Sequence, residues 1–459
     1  MGLNYVTGDR EQRFLLAPDM RDWLAPEHLC WFVIDVVEAL DLDAFHRSYR
    51  ADGHGRAAYD PAVMVAVLLY AYCTGVRSSR QIQRRCLEQI DYRILAAGLA
   101  PDHVTLARFR ARHADALAAV FVDSLRLCAE AGLVSLGAIA VDGTKIAANA
   151  SIDRNRTSEE LGKQISAILA EAAEIDAAED AASDQDHQSE SGPAVDPALR
   201  RAALDAARQR LEAARTRLEV VAADRAARFE ARSAQLNAAR AAKGQPPRQF
   251  RPRARDEAPK PGTTTNLTDP DSRPMQSRHG RVQGFNAQTV TTAGQIIVAA
   301  EVSTDSNDVA QLAPMLSATR AGLTAAGITE PIDALVADAG YWRAENVNAS
   351  HPDLARPDGP TLYIAVARHG RRGKPRQDGK PSEATTTALV EQMTARLKTD
   401  TGKKMMRMRS TSVEPVFGQI KHGRGIRQLS RRGLVAARAE WKLIAATHNL
   451  LKLYRATAI

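Results

Sequence analysis

Apolar positions along the chain change period several times, and each change marks a change of element. From Arg21 to about Gly132 they recur in short blocks at three- and four-residue steps, the spacing of helices. Asp60-Pro61 is a start signal, because Asp can cap exposed N–H groups and Pro loses nothing in the first turn; AVMVAVLLYAYC then runs to Gly75 as a buried helix. Ser78 or Ser79 can cap a second helix carrying Arg80, Arg84 and Arg85, and a third opens at Asp102 with Arg108, Phe109 and Arg110. Near Val134 the period shortens, and Ala138 to Val141 reads as a strand meeting Asp142-Gly143.

From Ile152 to about Lys243 the chain becomes Ala-rich and helical in two arms, with Leu204, Leu211 and Leu218 at seven-residue steps and Ala207, Ala214 and Val221 between them. The arms predict an inserted antiparallel hairpin that packs on a partner helix or a second protomer. After a basic linker rich in Pro, Gly and Thr, strand signals return as a hairpin joined by Ala293-Gly294. Asn307 to Ala326 then reads as a helix, IDALVADAG as a buried strand ending at Asp338, TLYIAVAR as a strand, and HGRRGKPRQDGKPSE as a basic loop. A helix near Ala388 to Lys398, a segment opening at Thr411 and a helix from about Val435 to Tyr454 complete the chain. Without the insertion, the order from residue 134 is three strands, a helix, two strands and a helix. That succession predicts an α/β fold with a ribonuclease H-like core over 133–151 and 262–459, an all-α N-terminal domain over 1–132 and an inserted hairpin and linker over 152–261.

Charge sharpens the picture. Lys and Arg number 62 against 54 Asp and Glu, a net charge of +8 that favours a polyanionic partner. Three short helices with Arg clusters are similar to a helix-turn-helix, which makes Arg77, Arg80, Arg84, Arg85, Arg108 and Arg110 candidates for binding DNA; a solvated basic face fits the same pattern. The four cysteines are scattered without a CxxC pair, which predicts neither a zinc knuckle nor disulfides and suits a reducing, cytoplasmic setting. No apolar run reaches the ~20 residues of a membrane span. Protease HEXXH, Walker and GxGxxG patterns are absent, and His103, His422 and His448 stand singly, as satisfied or solvent-facing histidines do.

Three acids sit where elements end: Asp142, Asp338 and Glu414. Carboxylates are the hard oxygen ligands that Mg²⁺ prefers, and two such ions about 4 Å apart can drive phosphodiester cleavage. Each acid has a plainer reading, Asp142-Gly143 as a hairpin turn, Asp338 as a cap and Thr411-x-x-Glu414 as a capping box. Pro415 places Glu414 in a first helical turn, with Lys421 two turns along on the same face, Arg409 ahead of the helix, and Arg424 and Arg427 after it.

VDGTKIAANAS, ALVADAGYW and VEPVFGQIKHGRGIRQLSRRGL, followed by AEWKLIAATHNLLKLY, resemble the DDE transposases of bacterial insertion sequences. DPAVMVAVLLYAYCTGVRSSRQIQRRC and DHVTLARFRARH are similar to the InsH-type helical domain preceding many such cores, and TDPDSRPMQSRHGRVQGFNAQ to a stretch in the branch with a long helical insertion. The resemblance implies that Asp142, Asp338 and Glu414 hold Mg²⁺, with Mn²⁺ as a substitute, that Lys421 contacts DNA beside the cut and that Arg409 is the family's arginine ahead of the glutamate. It also implies terminal inverted repeats and target DNA as double-stranded partners, with a homodimer or larger assembly on them. Met406 stands where relatives often carry a tyrosine. Two other readings compete with a transposase that cuts its ends and joins a 3′ hydroxyl to target DNA: a nuclease of the same fold that only hydrolyses, and a catalytically silent DNA-binding or assembly protein.

Overall fold

The computed structural model describes residues 19–49, 57–183, 197–242, 244–249, 262–277, 280–347, 359–366 and 383–457. Among the described residues a 3-10 turn, Met20–Trp23, precedes seven α-helices: α1 (Leu29–Glu38), α2 (Asp43–His46), α3 (Pro61–Cys73), α4 (Ser79–Glu88), α5 (Ile90–Leu95), α6 (His103–Arg112) and α7 (Ala114–Glu130). Two of the three start signals act as expected, whereas Ser78 stands at the start of α4 without a side-chain cap hydrogen bond. Asp60 accepts from Ala62 N ahead of Pro61, and Asp102 accepts from Val104 N and Thr105 N. Helix α3 is buried almost throughout, which is why its apolar residues show no one-sided stripe.

Strand β1 (Ala138–Ala147) continues through Asp142-Gly143, so that dipeptide is not a turn. After β2 (Asn155–Thr157) come the arms α8 (Ser158–Ser183) and α9 (Pro197–Ala241), and β3 (Thr264–Asn266) pairs back with β2 at their base. Leu161, Leu211, Ala214 and Leu218 form the small core between the arms, with Glu171 and Arg200 paired at 2.7 Å. The heptad seam therefore closes within one chain. Helix α9 is about 68 Å long at ~1.5 Å per residue and runs on past this core; Arg217 pairs with Asp271 at 2.5 Å and Arg232 lies 3.8 Å from Glu345.

The main sheet adds β4 (Arg273–Ser277), β5 (Gly280–Thr292), β6 (Ile297–Ser303), β7 (Ala334–Ala337) and β8 (Thr361–Ile364), with α10 (Leu312–Ala325), α11 (Ala344–Val347), α12 (Glu383–Lys398), α13 (Asp400–Gly418) and α14 (Leu434–Thr457) around it. The order is β4-β5-β1-β7-β8, with β6 also on β5; β6, β5 and β1 pair antiparallel, and β1, β7 and β8 parallel. The molecule is thus an α/β protein built on a mixed sheet. Ile139, Val141, Leu335 and Ala337 pack towards α10, whereas Ala138, Ala334 and Val336 meet Met405, Met406 and Met408 of α13. Period-two alternation then puts Asp142 and Asp338 on the α13 side. On the same sheet, Ile146, Phe285 and Ala287 share a core with the N-terminal helices and α14.

The basic loop around 371–382 lies outside the described residues. Among the described residues no helix is long and apolar enough to cross a membrane, and all four cysteines are free and buried.

Candidate active site

Val141 pairs with Ala337 at the end of the parallel β1–β7 ladder, so Asp142 and Asp338 are the next residues on adjacent strands and stand level with each other. Asp338 then turns the chain: its Oδ1 accepts from Gly340 N at 2.7 Å, opening the short 3-10 turn Ala339–Tyr341. The capping role expected of Asp338 is therefore present.

Glu414 arrives differently from its expected place. Helix α13 begins at Asp400, so Glu414 lies near its C-terminal end and Arg409 lies within the helix, one turn ahead. Pro415 is inside the helix, where it cannot donate to Thr411 O. Gln295, in the β5–β6 turn, supplies the missing donor: its Nε2 reaches Thr411 O at 3.0 Å. That external partner is what local sequence could not show.

Arg409 joins two of the acids, with Nη1 2.9 Å from Asp142 Oδ2 and Nη2 3.3 Å from Glu414 Oε1. The Asp142 side chain is 18% exposed and that of Glu414 50%. Burial pushes the Asp142 carboxyl up to about 6; Arg409 and the Gly143 N–H oppose the rise, and the charges of Asp338 and Asp308 add to it. Among the described residues no group of three or more His, Cys, Asp or Glu stands arranged to hold a metal ion. The guanidinium occupies the space between Asp142 and Glu414 and supplies the positive charge there. Asp142, within β1, and Asp338, directly after β7, are the two carboxylates that could hold a divalent ion together.

Beyond α13 the helix widens into a π-turn, Gln419–Gly423, which holds Lys421 against β1: Nζ donates to Thr144 Oγ1 at 2.6 Å and to Lys145 O at 2.7 Å. Seven-residue spacing on a straight helix, the expected link to Glu414, does not apply across that turn. Buried Glu440 fixes the following loop by accepting from Ser430 N, Ser430 Oγ, Arg431 N and Tyr72 Oη.

The arginines divide. Arg80, Arg84 and Arg108 are exposed, although Arg84 binds both Glu88 oxygens at 2.9 Å; Arg85 lies over the Tyr92 ring. Arg427 is exposed and donates to Lys421 O. Arg77 is turned towards Gln428 O and lies 3.8 Å from Glu440. Arg110 and Arg424 correct the expectation of cations facing a partner. Arg110 is buried on Arg77 O and Ser79 Oγ, and Arg424 reaches Thr447 Oγ1, Ile444 O and Tyr72 O, with burial pushing its pKa down to about 10. Met406 packs against the sheet, facing the core. His448 is a satisfied core histidine on Gln295 O, held neutral by burial at about 3.

Four residues not expected from the sequence, Asp308, Asn286, Gln288 and Tyr341, form a polar network beside Gly143. Asp308 Oδ1 accepts from Asn286 Nδ2 and Gln288 Nε2, both at 2.7 Å, and Lys145 Nζ lies 3.5 Å away. The Tyr341 hydroxyl donates to Gln288 Oε1. The available signal was a pair of amides, Asn286 and Gln288, on alternate residues of a strand that is buried from Gln283 onwards.

With this geometry in hand, comparison with known families is direct. Residues 18–112 match the transposase domain DUF772, and residues 372–454 match the transposase DDE domain. Both matches are to transposase domains, and together they support a DDE-type insertion-sequence transposase. The second match contains Arg409, Glu414 and Lys421, while Asp142 and Asp338 lie outside both. No curated protein and no solved structure matches the chain.

Proposed function

We propose that this transposase cuts the ends of its insertion sequence by hydrolysis and joins the freed 3′ hydroxyl to target DNA, with Asp142 and Asp338 holding Mg²⁺ or Mn²⁺ and Glu414 as the third acid. We read the β6-β5-β1-β7-β8 array as a ribonuclease H-like core carrying them. The observation that supports this most is the level placement of Asp142 and Asp338 on adjacent parallel strands, with Glu414 linked to Asp142 through Arg409.

Divalent ions, when bound, supply the charge that activates an attacking oxygen and stabilises the leaving one. The chain's own residues do the rest. Asp142 and Asp338 present carboxylate oxygens from the end of the central β1–β7 ladder. Arg409 exchanges its carboxylate partners for a backbone phosphate as DNA arrives, orienting the strand through a forked contact. Lys421, anchored on β1, offers a second cation beside the cut. Arg80, Arg84, Arg85, Arg108 and Arg427 steer the duplex by charge.

Purified protein with Mg²⁺ and DNA carrying its own terminal repeats should nick and then join. Asp338→Asn should bind those ends without cutting, and equal cutting by that variant removes Asp338 from the chemistry. Cleavage without joined product points to a nuclease.

A further inference from the structure

The β1–β7 ladder stops one residue short of the acids, so backbone pairing alone does not fix Asp338 relative to Asp142. A polar network on the α10 side of the sheet does. Asn286 and Gln288 pair with Lys145 and Gly143 of β1, and both their side chains are fully buried. Each donates to Asp308 Oδ1, and Lys145 approaches the same oxygen. Tyr341, the last residue of the Asp338 turn, is buried and closes the chain by donating to Gln288 Oε1. Because that oxygen is engaged by a phenol, the Gln288 amide N–H₂ must face Asp308.

Gly143 makes the arrangement possible. A Cβ there would stand 2.3 Å from Gln288 Nε2 and 2.5 Å from Asp308 Oδ1, so only glycine lets the network sit directly behind the strand that carries Asp142. Asp308 Oδ2 lies beside the turn that follows Asp338, 3.5 Å from where a Cβ of Gly340 would be. One side chain thus touches the backs of both acid-bearing segments.

We propose that Asp308 is a positioning residue: through Gln288 and Tyr341 it locks the Asp338 turn to β1 and sets the spacing of the two carboxylates. This rests on the reading that Asp142 and Asp338 bind the divalent ion. Groups that orient metal ligands from behind typically alter metal affinity or activity 10- to 100-fold.

The test is Mn²⁺ affinity by electron paramagnetic resonance, with cleavage kinetics on end DNA, for Asp308→Ala, Asp308→Asn and Tyr341→Phe. Expected are a roughly 10-fold or greater loss of Mn²⁺ affinity in Asp308→Ala, a fall in kcat with KM for DNA unchanged, and substantial rescue in Asp308→Asn, which keeps an acceptor for both amides. Tyr341→Phe should weaken Mn²⁺ binding in the same direction, and combining it with Asp308→Ala should add little because both cut one chain. Should Asp308→Ala fail to fold, Tyr341→Phe, which removes a single hydroxyl, decides. Wild-type Mn²⁺ affinity and kcat in Tyr341→Phe and in folded Asp308→Ala overturn the proposal while Asp142→Asn still abolishes binding. If Asp142→Asn leaves Mn²⁺ binding untouched, the underlying metal reading fails instead.

Discussion

The Arg409 guanidinium is shared between Asp142 on a strand and Glu414 on a helix, 2.9 Å from one carboxylate and 3.3 Å from the other. It is therefore the counter-ion of both carboxylates and must leave at least one of these partners for a divalent cation to approach both. Arg409→Ala should bind Mn²⁺ several-fold more tightly than the unaltered chain without DNA, yet cut ends roughly 100-fold more slowly, as loss of a transition-state donor does. Titration and cleavage on the same preparation check both halves. Weaker Mn²⁺ binding in Arg409→Ala would show that the arginine supports the acids in place and does not compete for them.

Asp142 gives the molecule a pH signature. Its carboxyl is raised from an ordinary 3.8 to about 6, chiefly by burial. Between those values the folded state holds a proton that the unfolded chain has released, so this residue's contribution to stability is fully present below about pH 4 and is lost as pH rises through 6. A shift of this size corresponds to about 3 kcal/mol. Asp142→Asn should accordingly unfold at higher denaturant than the unaltered chain at pH 7 without metal, and the gap should narrow towards pH 4. Added Mg²⁺ should stabilise the unaltered chain and not the variant. A gap that is constant across this range would assign the difference to packing.

Much of the architecture was readable because it rests on local signals. Asp60-Pro61 and Asp102 start helices where their chemistry says, and the apolar runs that end at Val141 and Ala337 give two strands that meet in parallel. What was not readable depends on partners distant in sequence. Asp142-Gly143 looks like a turn until β5 pairs straight across it, Thr289 opposite Asp142 and Gln288 opposite Gly143. Pro415 looks like a first-turn proline because nothing near it reveals that Gln295 satisfies Thr411. Asp308 has no local feature of a site residue, since its meaning comes from Asn286, Gln288 and Gly143. Arginine clusters have the same defect: composition cannot say that Arg110 points inward while Arg108 points out.

That difference is measurable. Arg80→Ala and Arg108→Ala, both on the surface, should each weaken binding to end DNA and reduce the slope of log K against log salt by about 1. Arg110→Ala should leave the slope alone and lower folding stability by roughly 3 kcal/mol, because buried hydrogen bonds to a charged group are lost together. Fluorescence anisotropy across a salt series, set beside urea melts, separates the two effects. A changed salt slope in folded Arg110→Ala would mean that the helix opens to expose it on DNA.

Lys421 needs the same discrimination, because two roles meet in one side chain. The π-turn brings its ammonium to Thr144 and to the Lys145 carbonyl, two and three residues beyond Asp142, so it can brace the strand or meet a phosphate at the cut. Thr144→Val removes one acceptor and leaves the charge; if the phosphate role governs, cutting should stay within a few-fold of normal. Lys421→Ala removes the charge, and end cleavage should fall by roughly 10- to 100-fold with a salt slope reduced by about 1. If bracing governs, Thr144→Val and Lys421→Ala should instead lose stability and activity in parallel, with an unchanged salt slope in both. The pair of variants therefore decides which function the widened helical turn serves.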